Sequence, residues 1–187
     1  MMMFSCQAES SAVKFSHTFA TFVKAMRESA SSKNHEIEVH TISWMPGTLD
    51  ITILRWEPER GRNLDLPSTL RWAESGNARV SLWGPYEIEK ELYVHAVAQE
   101  SRLESGSIGY KAVDAAFRPN ALNCIHAVSD LNTEEGLIHV GLERGDSASS
   151  LVANHLKRWI IGLPQTYPWV AERAGLKDYP VTVRNIE

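Results

Sequence analysis

Phe15-Ser-His-Thr-Phe-Ala-Thr-Phe-Val-Lys24 decides the fold. Phe15, His17, Phe19, Thr21 and Val23 recur at a period of two, and a β-strand is the element that sets alternate side chains on one face. Moving outward, Arg27–Asn34 is polar and Ser-rich and reads as a loop. Glu36-Ile-Glu-Val-His-Thr-Ile-Ser-Trp44 predicts a second strand, stopped by the turn signal Met45-Pro46-Gly47. Asp50–Trp56, rich in Ile and Thr, predicts a third. Residues 57–78 carry Pro58, Gly61, Pro67 and Gly76 and read as a long loop, or a loop with a short helix. Arg79–Trp83 reads as a short strand.

Helices dominate the second half. Gly84-Pro85 opens a helix running from Tyr86 to Glu104, because proline is tolerated in a first helical turn and Gly106 stops the run. Ile88, Leu92, Ala96, Val97 and Leu103 form its buried stripe. Tyr110–Phe117 predicts a shorter helix closed by Pro119. Asn123-Cys-Ile-His-Ala-Val-Ser-Asp-Leu131 opens another, with Asn123 as N-cap. Leu137–Leu142 predicts a strand, and Ser147 or Ser149 caps a last helix reaching Trp159 or Ile161. This order gives an α+β fold with an antiparallel sheet packed against helices. Residues 1–12 are expected to be a flexible N-terminus, 13–163 the folded domain, and 164–187 an irregular tail packed on it.

Composition narrows the function. The chain has 187 residues and a net charge of −4, with 43% hydrophobic and 22% charged residues, which is ordinary for a globular domain. Nineteen basic residues against 23 acidic ones leave no electrostatic footprint for nucleic acid. Two cysteines cannot form a disulfide framework for this length. No apolar run approaches the ~18 residues of a membrane-spanning helix. Met1–Cys6 lacks the charged start and the apolar stretch of a secretory signal, so the chain reads as cytoplasmic; a misassigned start hiding an export or lipoprotein signal ending at Cys6 is the alternative.

Cys124 draws attention by its place. In the first turn of a helix, unpaired backbone N–H groups and the positive helix end favour a thiolate, the nucleophilic form. Such a thiolate needs a base and an orienting group, and His17 and His40, each in a strand, are the candidates. The plain alternative is that Cys124 is a small core hydrophobe. On the same view His17 is a core histidine beside Phe15 and Phe19, and His40 another beside Ile42 and Trp44. The histidines and cysteines lack the short spacing of a metal site. The Trp44, Trp56, Trp72 and Trp83 run is more simply core or loop anchors than a substrate wall, and Gly141–Ser147 lacks the Gly-Lys-Ser/Thr ending of a phosphate loop.

Ser16-His17-Thr-Phe-Ala-Thr-Phe-Val23, then Glu38-Val-His40-Thr-Ile-Ser-Trp-Met-Pro46, then Leu122-Asn-Cys124-Ile-His126-Ala-Val128 together resemble the circularly permuted papain-like hydrolases, in particular the lecithin:retinol acyltransferase-like group. The resemblance implies a permuted papain-like domain over 13–163. It implies Cys124 as the nucleophile that forms a thioester, His17 as general base and His40 as third polar member. Part of an oxyanion hole would come from the Cys124 N–H. His126 is a structural or supporting residue, and Trp44 and Asn123 are candidate substrate contacts. The implied activity is a cysteine-dependent amidase, peptidase or acyltransferase on a small-molecule, peptide or lipid substrate, with no cofactor and no metal. A non-catalytic binding or scaffold domain of the same fold is the alternative. Oligomeric state stays open.

Overall fold

The structure is a computed structural model that describes residues 1–8, 16–27, 35–53, 55–113, 120–132, 138 and 143–186. It is a mixed α+β domain, 35% helical and 33% strand, with largely antiparallel sheets packed against helices. The main sheet uses β1 (Met2–Ala8), β2 (His17–Arg27), β3 (His35–Ile42), β6 (Ala78–Trp83) and β11 (Val181–Arg184), in the order β11-β6-β1-β2-β3. All neighbours are antiparallel except β11 with β6. A smaller sheet runs β4 (Trp44–Pro46), β5 (Glu59–Asn63), β8 (Gly109–Tyr110), β9 (Ala121–Leu122).

The alternation read in Phe15–Lys24 sorts side chains to two covered faces. Ala20 and Phe22 join Met3 and Ile42 under α2 (Lys90–Glu104), α3 (Cys124–Ser129) and α4 (Gly145–His155). Phe19 joins Met2, Phe4 and Cys6 on the other face, covered by Leu66, Leu70 and Trp72 of α1 (Leu66–Ser75) and by Leu176. α1 starts where Asp65 accepts from the Ser68 amide at 2.7 Å, with Pro67 in its first turn.

Several expectations need correction. The stretch expected to be a flexible terminus contains β1, the middle strand, with Met2, Met3, Phe4 and Cys6 fully buried. A strand covered on both faces reads as a continuous apolar run without alternation, which explains why periodicity missed it. The strand expected over Glu36–Trp44 breaks at Ser43, whose amide donates to Asn63 Oδ1 at 2.8 Å. Trp44–Pro46 therefore pairs with β5 instead of extending the main sheet. The stretch expected as a strand over Asp50–Trp56 forms none among its described residues. The 57–78 segment holds β5 and α1, and β7 (Glu87–Ile88) precedes α2. Tyr110 lies in β8, not in a helix. The tail is structured, with β10 (Ile160–Ile161) before it, then α5 (Pro168–Ala171) and β11. The loop at 28–34, all of 114–117 and most of the strand expected at Leu137–Leu142 lie outside the described residues. Among the described residues no helix is long and apolar enough to cross a membrane.

Candidate functional sites

Asn123 caps α3 as expected, its Oδ1 accepting from the His126 amide at 2.8 Å, and Cys124 is the first helical residue. Ala127 and Val128, one turn on, pack with Ala20 and Phe22, which fixes the side of the main sheet on which α3 lies. Cys124 is 7% exposed, against none of Cys6. The Cys6 thiol is pushed far above its ordinary range, first by burial and then by the charge that Cys124 and Asp146 would place near it.

His17 lies on the other side. It pairs directly opposite Cys6, stacks on Phe19 with ring centres 5.5 Å apart, and meets the Trp72 ring edge-on at 5.7 Å. Its Nε2 is 2.8 Å from Ser43 Oγ, and the Thr69 hydroxyl lies 2.8 Å from both Ser43 Oγ and the Asp65 carbonyl. Nδ1 is buried with no hydrogen-bond partner among the described residues. Burial lowers the pKa of this imidazole to about 3, so it is neutral through the ordinary pH range.

His40 pairs opposite Phe22, an odd number of positions along β2 from His17, so the two histidines point to opposite faces of the sheet. Its Nδ1 is 2.5 Å from Glu100 Oε2 and its Nε2 is 3.1 Å from Glu38 Oε1. Partial burial works against the charged ring, but the two carboxylate bonds outweigh it and raise the pKa. Glu38 is held below the usual carboxylate range by its bonds to His40 and then Lys24, the latter at 3.0 Å. The Tyr93 ring meets His40 edge-on at 5.7 Å; burial, then the nearby Glu38 charge, pushes its phenol up to about 12.

The structure therefore does not bring Cys124, His17 and His40 into one site. One histidine sits under α1, the other between two carboxylates, and neither has its ring nitrogens hydrogen-bonded to the thiol. Trp44, expected to touch substrate, is 1% exposed and packed on Gly61. Asn123 spends its side chain on the cap and is 6% exposed. His126 serves structure, its Nε2 lying 3.1 Å from the Ile138 carbonyl. Among the described residues no group of three His, Cys, Asp or Glu is placed to hold a metal ion.

A site absent from the sequence reading lies toward the far end of β2. A groove of about 650 Å³ is lined by Val23, Lys24 and Ala25 of β2, by Tyr86–Ile88 just before α2, by Lys90, Tyr93 and Val94 in its first turns, and by Tyr167 with Trp169 and Val170 of α5. Val94 and Trp169 are exposed apolar groups there. The Tyr167 hydroxyl donates to Glu87 at 2.8 Å and ties one wall to the other. His40 and Glu38 stand behind this groove, since its lining residue Tyr93 meets His40 and its lining residue Lys24 bonds Glu38. The scattered apolar residues of the tail gave no periodic signal for that wall. No family model, no curated protein and no solved structure matches this chain.

Proposed function

We propose that this domain is a binding module that takes a small, largely apolar ligand in the groove between β2, the start of α2 and α5. The observation that supports this is the groove itself. Its volume of about 650 Å³ falls within the ~300–1,000 Å³ of small-molecule sites, and its apolar walls with a few polar groups suit one. The test uses the apolar dye 1-anilinonaphthalene-8-sulfonate and Val94→Glu, which places a charge on the groove wall at a residue 52% exposed. Dye affinity is expected to fall at least about tenfold, equivalent to about 1.4 kcal/mol. Stability should change by no more than about 0.5 kcal/mol, as for other surface substitutions. Unchanged dye affinity overturns the reading.

A second proposal is cysteine-dependent acyl chemistry, hydrolysis or transfer through a thioester at Cys124. It is favoured by one observation, the placing of Cys124 at an Asn123-capped helix start. His40, held between two carboxylates, is not its base. Iodoacetamide near neutral pH is expected to label Cys124 at least about tenfold faster than Cys6, as a thiolate-favouring position requires. Equally slow labelling of both thiols counts against any catalytic role.

A further inference from the structure

We propose that His40 is a proton-controlled clamp on the groove, tying β3 to α2 behind the Tyr93 and Lys24 wall while the ring is charged and loosening that wall when it is neutral. The proposal rests on the binding reading above. The geometry suits a charged ring. Both ring nitrogens face carboxylate oxygens, Nδ1 toward Glu100 and Nε2 toward Glu38. Facing ionised carboxylates, which only accept, both nitrogens carry a proton. The two carboxylates come from different elements, Glu100 from α2 and Glu38 from β3. Each is anchored a second time, Glu100 by the Thr41 amide at 3.3 Å and Glu38 by Lys24 of β2. The groups that face His40 are thus Glu38 from its own strand, Lys24 from β2 through Glu38, and Glu100 and Tyr93 from α2.

Loss of one ring proton turns a nitrogen lone pair toward a carboxylate, and one bond must open. The Glu38 bond is the longer, and Glu38 is 42% exposed against 21% for Glu100, so Glu38 lets go and stays with Lys24. The folded state holds the His40 proton more tightly than the unfolded chain does. The clamp is therefore fully present below the unfolded value of about 6.5 and is lost as the pH rises through the folded value.

The experiment measures binding of 1-anilinonaphthalene-8-sulfonate at about pH 6 and about pH 9, for the natural chain and for His40→Gln. The natural chain should bind at least about fivefold more weakly at the higher pH, the low end of the range for coupling between two sites, while His40→Gln should change less than about twofold. An equal loss in both chains overturns the clamp. Thermal unfolding separates this from failure of the binding reading. If no dye binds at either pH, the groove reading falls. The clamp then stands if the natural chain melts above His40→Gln at the lower pH with the gap closing at the higher, and falls if the gap is the same at both.

Discussion

Gly61→Ala is expected to destabilise the domain by about 3 kcal/mol or more, at the top of the range for overpacking. Gly61 lies opposite Pro46 in the β4–β5 pair, and the Trp44 indole covers it. An added methyl would fall inside the ring, on atoms Cζ2, Cη2 and Cε2. The ring cannot move aside cheaply, because Trp44 is 1% exposed and belongs to the cluster that holds Ile42, Leu92 and Val128. Here glycine is needed for close approach, not for an unusual backbone angle. Urea unfolding checks this, and a midpoint equal to that of the natural chain would sink the argument.

His17 gives the second large effect, in acid. In the unfolded chain its imidazole takes up a proton near pH 6.5; in the folded chain burial delays this to about 3. Between those values the unfolded state binds the extra proton, so stability rises with pH across the window and falls on acidification. The loss from this one group is about 3 kcal/mol by pH 4 and about 4 to 5 kcal/mol by pH 3. His17→Gln keeps a polar group for Ser43 but cannot take up a proton, so its stability should fall less steeply over the same range. Urea midpoints of the two chains at pH 7 and pH 4 decide the matter: parallel losses would show that His17 carries no such penalty.

The local patterns were legible where one face of an element is apolar and its ends are marked. β2 follows from Phe19, Thr21 and Val23, β6 from the run around Val80, and α2 from Leu92, Ala96 and Leu103 ending near Gly106. Asn123 as N-cap was readable because a short polar side chain before an apolar turn has one mechanical use there. β1 was not readable, because neither face meets water. Asp50–Trp56 had the composition of a strand but forms none among its described residues, and strand preference depends on what the strand packs against. The candidate site failed for a sharper reason. The identities of His17, His40 and Cys124 are local facts, but the face each histidine takes depends on pairing register, and a slip of one residue reverses it. Nothing within either strand discloses that Phe22, and not a residue on the His17 side, stands opposite His40. Ser43 became the partner of His17 because the chain bends there toward Asn63, a contact made across 20 residues.

The placing of β6 has a consequence for how the chain reaches its final shape. β1, β2 and β3 are close in sequence, but β6 joins β1 through pairs such as Met3 with Trp83, and β11 joins β6 through pairs such as Val80 with Val181. Closing such distant pairings is slow compared with forming neighbouring ones. During synthesis β6 waits about 100 residues for its outer neighbour, and at the ~5–20 residues per second of translation that is on the order of 5 to 20 seconds. Throughout that interval a half-made sheet shows a bare row of backbone donors and acceptors, the kind of edge that recruits other nascent chains. Crowded expression should therefore punish this protein early, before its last strand arrives.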